Sequence, residues 1–187
     1  MGRVSQAQAR ENRRRVVETA SRLFREQGVD VSVADLMKAA GLTHGGFYKQ
    51  FASKEALVDE ATAHAFAERA GAYGGGAAPG PDARAELVGA YLSADHRDNP
   101  AVGCPVAGLA TDMARSEEDS EARLTYARGV EAFARQLADG AGEGDGDGLT
   151  RLSAMVGALV LARATRGTPL SDDILDTVRT ALTAPRA

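Results

Sequence analysis

One stretch, residues 29–51 (VDVSVADLMKAAGLTHGGFYKQF), limits the possible folds more than any other part of the chain. Ser32 is a good helix N-cap, and Asp35 three residues later completes a capping pattern. Apolar residues then recur at helical spacing until Gly41, which can take the left-handed turn that ends a helix. Thr43 follows as the N-cap of a second helix. Two capped helices joined by a glycine turn predict a helix-turn-helix motif.

The second helix is expected to span residues 44–50, and its two glycines are informative. Gly45 and Gly46 each cost about 1 kcal/mol relative to Ala inside a helix. A helix that presses its N-terminal face against another surface gains close approach in return. Phe47 and Phe51, four residues apart, are expected to anchor the opposite face in the core.

Polar and basic side chains surround this short helix. Tyr48 and Lys49 are expected to point away from the core and to offer a hydroxyl and an ammonium to phosphate oxygens. Ser53 is expected to cap the next helix, which brings Lys54 to the same surface. The pattern favours a surface that meets a polyanion.

A long first helix is predicted from Gln6 to Gln27, with Gly28 ending it. Arg10, Arg13 and Arg14 crowd its first half. Arginines near a helix N-terminus oppose the macrodipole, so they do not stabilise that end. Contact with a polyanion is a sufficient reason for them, although any single one could be a solvated surface charge.

The formal charge of the whole chain is −4, which taken alone disfavours nucleic acid as a partner. The distribution reverses that argument. Residues 1–54 hold ten Lys and Arg against five Asp and Glu, whereas residues 55–187 hold twelve against twenty-one. A basic N-terminal module on an acidic body is the charge pattern of a DNA-binding head. The acidic residues could also simply solvate the C-terminal helices, and both interpretations can hold together.

The recognition stretch resembles that of the TetR family of bacterial transcriptional regulators. The resemblance lies in Gly41-Leu42-Thr43, Gly46-Phe47-Tyr48, Phe51 and Ser53-Lys54-Glu55-Ala56-Leu57. It covers roughly the first 60 residues, and many consecutive features agree in order and spacing. Gln50 departs from the family pattern, in which an aromatic residue or His is usual.

The resemblance implies an all-α fold with two domains. Residues 1–52 would form a three-helix helix-turn-helix DNA-binding domain, and residues 53–187 a helical ligand-binding and dimerisation domain. It further implies a homodimeric repressor on a pseudo-palindromic double-stranded operator. A small ligand in the body would change the spacing of the two heads and release the DNA. By this interpretation the protein is not an enzyme.

The expected DNA contacts fall into four groups by the role that each plays. Thr43, Tyr48, Lys49 and Lys54 are expected to contact phosphates, and His44, Gly45 and Gly46 are expected to lie nearest to base edges. Arg10 and Arg13 or Arg14 are expected to reach the DNA backbone or the minor groove. Ser32, at the N-cap, completes the predicted face.

Helices are also predicted through the body, separated by glycine-rich loops. The expected helices span 83–97, 105–115, a segment capped by Ser116 and ending at Gly140, 149–166, and a last one capped by Ser171 that runs to about 183, with loops at 71–82 and 140–148. The last two helices are apolar on more faces than a small monomer can bury. They predict a four-helix bundle with a second copy, through residues 149–166 and 171–183. The alternative is that they only close the core of the monomer.

A ligand pocket is expected between the helices of the body. Its candidate lining residues are aromatic, sulfur-containing or polar side chains at helical spacing: Tyr91, Leu92, His96, Cys104, Met113, Tyr126, Phe133 and Met155. Aromatic and Met residues at such spacing also form ordinary core, so the set includes that alternative.

Cys104 supports a second hypothesis for the function. It precedes Pro105 at the predicted N-cap of a helix, a position that lowers the pKa of a thiol. The protein could therefore be a thiol-based sensor of oxidants or electrophiles. The default is a buried Cys that acts as a small apolar residue.

No metal-binding, nucleophile or nucleotide-binding pattern is present in the sequence, so no cofactor and no metal are expected. A small helical enzyme or a protein-binding adaptor remain alternatives of another class, but neither explains the glycine-bearing helix beside Tyr48 and Lys49. The single cysteine suits a reducing compartment. The polar N-terminus and the lack of a long apolar run predict a cytoplasmic protein without a membrane segment.

Overall fold

The computed structural model describes residues 6–72, 80–138 and 145–184, and all the regular structure within these ranges is helical. The prediction of an all-α fold is confirmed. The α-helices are α1 (Gln6–Gln27), α2 (Val33–Ala39), α3 (Lys54–Ala72), α4 (Pro81–Tyr91), α5 (Ala94–Asp98), α6 (Pro105–Arg115), α7 (Glu121–Leu137), α8 (Asp145–Ala164) and α9 (Pro169–Thr183). Two 3-10 helices, His44–Lys49 and Pro100–Val102, lie between them.

The predicted caps set both ends of α2. The Ser32 hydroxyl accepts a hydrogen bond from the backbone N–H of Asp35 at 3.1 Å. At the other end Gly41 has φ +69°, and the N–H of Leu42 donates to the carbonyl of Met37 at 2.8 Å. These bonds satisfy backbone groups that the helix itself leaves unpaired, so local sequence alone fixes where α2 begins and ends.

The second helix of the motif is a 3-10 helix, His44–Lys49, and not the α-helix expected over 44–50. Thr43 has the extended backbone of an N-cap, but its side chain makes no capping hydrogen bond. Two consecutive glycines in a six-residue helix leave little intrinsic helix propensity, and tertiary contacts then select the tighter turn.

Two clusters of buried side chains form the core. The first lies under the head and takes residues from α1, α2, the recognition segment and the body helices: Val16, Ala20, Phe24, Leu36, Met37, Ala40, Phe47, Phe51, Leu57, Ala61, Leu109, Met113 and Ala122. The head therefore shares its core with α3, α6 and α7.

The second cluster lies in the body. It contains Val88, Tyr91, Leu92, Cys104, Val106, Phe133, Ala134, Leu137, Leu152, Met155, Ala158, Leu159, Ala162 and Leu175. Helix α8 packs against both α7 and α9, and α3 runs between the two clusters along α1 and α7. α3 is thus one of the elements through which the body contacts the head, beside α6.

The helix predicted over 83–97 is two helices. α4 ends at Tyr91, and the Ser93 hydroxyl accepts from the N–H of His96 at 3.2 Å to begin α5. A serine that caps a new helix breaks the apolar pattern without any Gly or Pro.

The starts of two other helices, α7 and α9, differ from the sequence expectation. Ser116 is the C-cap of α6, and Ser120 caps α7 by accepting from the N–H of Arg123 at 3.3 Å. α9 begins at Pro169 after Thr168, so Ser171 lies within its first turn, buried, and donates to the carbonyl of Ala162 at 2.7 Å.

Residues 145–148 begin α8, although a loop was expected there. A Cβ on Gly148 would lie 2.1 Å from the Ala134 carbonyl oxygen, so glycine permits α7 and α8 to approach closely. Residues 71–72 end α3 and residues 81–82 begin α4, although a loop was expected over 71–82. Residues 73–79 and 140–144 of the two predicted loops lie outside the described residues.

Candidate nucleic-acid interface and body cavity

The recognition segment, residues 43–49, presents a polar outer face. Thr43, His44, Gly45 and Lys49 are exposed, and Tyr48 is 68% exposed. Two residues of neighbouring helices lie beside this face. Ser32, the N-cap of α2, is exposed, and Lys54, the first residue of α3, is half-buried. Gly46 faces inward, where a Cβ would meet the Met37 side chain at 3.5 Å.

Aromatic stacking holds this face in place from below. Phe47 is fully buried, and its ring stacks on that of Phe51 with centroids 5.4 Å apart. The Tyr48 ring meets the Phe47 ring edge-on at 5.1 Å. Such pairs contribute about 0.5–1.5 kcal/mol beyond area burial. The buried anchor therefore orients an exposed Tyr48 hydroxyl.

Arg13 contacts other residues of the protein itself. Its guanidinium lies over the Phe51 ring at 4.3 Å and donates to the carbonyl of Gln50 and to the Glu60 carboxylate. These contacts tie α1 to the end of the recognition segment and to α3. Arg13 is thus a positioning residue of the head, committed to contacts within the protein.

Arg10 and Arg14 are exposed on α1. Arg14 pairs with Glu11 at 2.8 Å and Glu18 at 3.3 Å, and its hydrogen bond lowers the pKa of the Glu11 carboxyl. Exposed pairs of this kind contribute little to stability. Arg14 can therefore exchange its carboxylate partners for a phosphate at small cost.

A cavity of about 300 Å³ lies between α3, α6 and α7. It is lined by Phe66, Ala67, Arg69, Cys104, Pro105, Val106, Gly129, Ala132, Phe133 and Gln136. Of the eight residues predicted for the pocket, Cys104 and Phe133 line it. No sequence signal points to Phe66, Arg69 or Gly129, because their proximity comes from the packing of α3 on α7.

The other predicted pocket residues have different positions. Tyr91 and His96 line a second cavity of about 170 Å³, which also contacts Arg69. The Tyr126 hydroxyl donates to the carbonyl of Val106 at 2.8 Å, and burial raises the pKa of Tyr126 to about 12.

Two predicted pocket residues are core residues instead, and a third lines a different cavity. Leu92 and Met155 are fully buried in the body cluster. Met113 belongs to the head cluster and lines a cavity of about 550 Å³ beside Val29 and Asp112. None of the three lines either of these two cavities. Their helical spacing reflected packing, because a core stripe and a pocket wall have the same periodicity.

Cys104 is the N-cap of α6, as expected, but its chemistry is the reverse of the sensor hypothesis. The residue is 1% exposed, and burial raises the pKa of its thiol. The hydrogen bonds from the helix N-terminus oppose that shift and are outweighed. The thiol is therefore neutral and shielded at neutral pH.

A strap of residues 100–104 joins the cavity to the head. The buried guanidinium of Arg25, on α1, donates to the carbonyl of Gly103 at 3.1 Å and pairs with Glu68 of α3 at 2.8 Å. Arg69 of α3 donates to the carbonyl of Val102 at 3.1 Å. The strap continues directly into Cys104, which lines the cavity. One short segment thus contacts α1, α3 and the cavity together.

The described parts of the chain contain no helix long and apolar enough to cross a membrane. Within the same ranges no group of three or more His, Cys, Asp or Glu is arranged to hold a metal ion. The two described features with functional geometry are the exposed recognition face and the mostly apolar body cavity. Together they define an all-α helix-turn-helix protein with a cavity between α3, α6 and α7.

Sequence comparison matches the head to a known family. The sequence profile of "Bacterial regulatory proteins, tetR family" matches residues 16–61. The HTH-type transcriptional regulator AcrR of Shigella flexneri is 39% identical over 61 residues, which is 32% of this chain. That match spans 28% of the length of AcrR, so it concerns the head alone.

Solved structures resemble the whole chain at low sequence identity. The reduced form of NemR from E. coli aligns with a TM-score of 0.70 at 19% identity, over 90% of this chain and 95% of that one. A TetR regulator from Chloroflexus aurantiacus aligns with a TM-score of 0.69 at 22% identity, over 95% of each chain. A TetR-family regulator from Agrobacterium tumefaciens aligns with a TM-score of 0.72 at 16% identity, over 94% of this chain and 100% of that one. These likenesses concern the fold.

The head of the chain is therefore similar in sequence to the regulatory proteins of the TetR family, and the whole chain is similar to them in fold. Its relatives are transcription regulators and not enzymes.

Proposed function

We propose that the protein is a homodimeric transcriptional repressor that binds a pseudo-palindromic DNA operator and releases it when a small molecule occupies the body cavity. The observation that carries the proposal is the exposed recognition segment held over the Phe47–Phe51 stack. Each protomer would place this segment in the major groove of one half-site. Double-stranded DNA as the partner implies a cytoplasmic location.

The proposed contacts follow from exposure. Thr43, Tyr48 and Lys49 reach phosphates, with Lys54 beside them, and His44, Gly45 and Gly46 lie nearest to base edges. Arg10 and Arg14 follow the DNA backbone, whereas Arg13 holds the head together. Ser32 is exposed at the N-cap of α2 and completes the face. We assign the head to residues 1–52 and the body to 53–187.

The proposed dimer interface lies on α8 and α9. Val160, Leu161 and Leu170 are large apolar side chains with 44%, 57% and 54% of their surface exposed. Exposed apolar side chains on adjacent helices indicate an interface, because burying them contributes roughly 25 cal/mol per Å². A two-fold axis through these helices would give the four-helix bundle that their sequence predicts.

Release of DNA requires that the ligand favour one spacing of the heads over another. The 100–104 strap supports this proposal, since it forms part of the cavity wall and accepts hydrogen bonds from α1 and α3. A ligand that displaces the wall would alter contacts that position the head.

DNA binding can be tested by fluorescence anisotropy with DNA from upstream of the protein's own gene, against scrambled DNA, across a salt series. We expect sequence-dependent binding whose affinity falls steeply with salt. Lys49→Ala should weaken binding to all sequences and reduce the salt slope by about one. Arg128→Ala removes the same charge from an exposed site on α7 and should change neither value.

Binding that ignores sequence, followed by a genome-wide pull-down without a preferred site, would contradict the proposal. A preferred site elsewhere in the genome would move the operator and leave the function in place.

The interface can be tested by sedimentation velocity. Leu161→Glu places a charge in the proposed interface and should convert the dimer to a monomer. Leu124→Glu, on α7 outside the two helices, starts from a similar exposed leucine and should leave the dimer intact. A dimer that survives Leu161→Glu, or a wild-type monomer, would refute this interface.

A further inference from the structure

We propose that the 300 Å³ cavity takes a small, mostly apolar ligand with a single anionic group, such as an aromatic carboxylate, and that Arg69 holds the anion. The inference deepens the proposed function, because it names the chemical class of the molecule that occupies the same cavity. It rests on the charges, the size and the side chains of the cavity wall.

Among the described residues that line the cavity, Arg69 carries a positive charge, and none is Asp or Glu. The other polar side chains in this set, those of Cys104 and Gln136, are neutral, since burial raises the pKa of the thiol. An anion in the cavity would lie near the positive charge of Arg69, and Coulomb attraction favours that arrangement.

Arg69 lies at the edge of the cavity and not outside it. Its guanidinium is anchored by a 3.1 Å hydrogen bond from Nη1 to the carbonyl of Val102, and the side chain also contacts the smaller cavity beside Tyr91 and His96. Its planar guanidinium matches a carboxylate in geometry. An anchored arginine loses less side-chain entropy when it binds an anion than a freely rotating one does.

The rest of the wall selects for an apolar, flat body. Phe66 and Phe133 present aromatic rings, and Ala67, Val106 and Ala132 add small apolar surfaces. Gly129 lies under Phe66, where any Cβ would come within 2.1 Å of the ring. A volume of about 300 Å³ is at the lower end of the range for small-molecule sites, which favours a ligand of one or two rings.

The test compares carboxylates with amides of the same shape, using the full-length protein without DNA. The probes are benzoate, 2-naphthoate and 4-phenylbenzoate, each paired with its amide, with affinities from isothermal titration calorimetry. We expect at least one carboxylate to bind about tenfold or more tightly than its amide, because hydrogen bonds to a charged group are about twice as strong as neutral ones.

Variants then locate the anion. Arg69→Gln should reduce the preference for carboxylate to within about threefold, and Arg69→Lys, which keeps the charge but loses the planar fork, should retain part of it. Arg128→Gln removes the same charge from α7 at a site outside the cavity wall and should leave the preference unchanged. Circular dichroism and thermal unfolding establish that each variant is folded.

Three results would overturn the inference: equal affinity for carboxylate and amide, a preference that persists in Arg69→Gln, or no probe that binds below about 1 mM. Operator binding is measured separately, so its failure is distinguishable from that of the inference. A protein that binds its operator but none of the carboxylates retains the proposed function and loses this ligand class.

Discussion

His96 shows, at the scale of a single residue, how position decides chemistry. In the sequence it lies between the charged residues Asp95 and Arg97, yet its side chain is half-buried. Nε2 accepts a hydrogen bond from the N–H of Cys104 at 2.9 Å, so the ring proton lies on Nδ1, which donates to the carbonyl of Tyr91 at 2.7 Å. Burial is the main cause that lowers the pKa of His96 to about 4, and Arg163 adds to it.

The lowered pKa predicts acid sensitivity. The unfolded chain has a histidine pKa near 6.5, so between about pH 6.5 and pH 4 the unfolded state takes up a proton that the folded state does not. The contribution of neutral His96 to the free energy of unfolding is complete above pH 6.5 and is lost as the pH falls. The loss is roughly 3 kcal/mol at most. Urea unfolding at pH 7 and pH 4.5 should show the gap between wild type and His96→Gln shrinking at the lower pH. His44→Gln, at an exposed site, should follow the wild type at both.

Cys104 gives a second prediction at this scale. Its thiol is buried and its pKa is raised, so the native protein should react with a disulfide reagent about 100-fold or more slowly than the unfolded chain. That ratio corresponds to a local opening free energy of roughly 3 kcal/mol. Reaction at the rate of the unfolded chain would restore the thiol-sensor hypothesis.

At the scale of elements, α3 and α7 meet at a glycine. A Cβ on Gly129 would lie 2.1 Å from the Phe66 ring, and that ring also packs edge-on against Tyr126 at 6.0 Å. The close approach brings α3 to the cavity wall. Because α3 also begins beside the recognition segment, the position of this helix affects both the cavity and the head.

Gly129→Ala should therefore destabilise the protein by about 1–3 kcal/mol, the usual cost of overpacking. Combining it with Phe66→Leu should recover part of the loss, because the smaller side chain makes room, and a double-mutant cycle measures the coupling. Gly89→Ala is the matched control on α4, where no atom lies within 4 Å of the added Cβ. It should be neutral or stabilising by up to about 1 kcal/mol. Additive effects of the Gly129 and Phe66 changes would refute the contact.

The recognition segment shows the limit of local rules at this scale. Its position, its anchor residues Phe47 and Phe51 and its exposed Tyr48 agree with the sequence prediction. Its 3-10 conformation does not, because two glycines leave the choice between helix types to the packing against α2.

At the scale of the whole molecule, Arg25 is one of the residues that link head and body. It lies on α1, is buried, and bonds to Ser21 within its helix, to Glu68 on α3 and to the strap carbonyl of Gly103. A Cβ on Gly108 of α6 would lie 3.1 Å from the Arg25 backbone, so the helices are in close contact there. The two parts of the molecule are thus joined through a charged side chain inside the protein.

Arg25→Gln should cost roughly 2–4 kcal/mol in the free energy of unfolding. Removing one partner of a buried pair is costly, and the value is discounted because the Glu68 side chain is 38% exposed and can be solvated. Arg22→Gln, on the same helix but exposed, should change stability by less than about 0.5 kcal/mol. Equal effects of the two substitutions in chemical denaturation would rule out this role for Arg25.

The features that could be predicted from the sequence depend on residues that are neighbours in the chain. The bounds of α1 and α6 and the start of α2 follow from capping residues, prolines and glycines, whose effects act within one turn. The charged head follows from composition. Ser116 and Ser171 show where this reasoning fails, since a serine caps a helix only if its backbone is extended at that point.

The features that could not be predicted from the sequence depend on contacts between residues far apart in the chain. The cavity wall combines Phe66, Cys104 and Gly129, which lie on three helices, and a periodic pattern cannot say which helix faces another. Burial raised the pKa of Cys104 where its N-cap position alone would lower it. The contact of Arg13 with the Phe51 ring likewise arises from the packing of helices and not from the local sequence. Local order follows from the sequence, whereas desolvation and partner choice arise when helices pack.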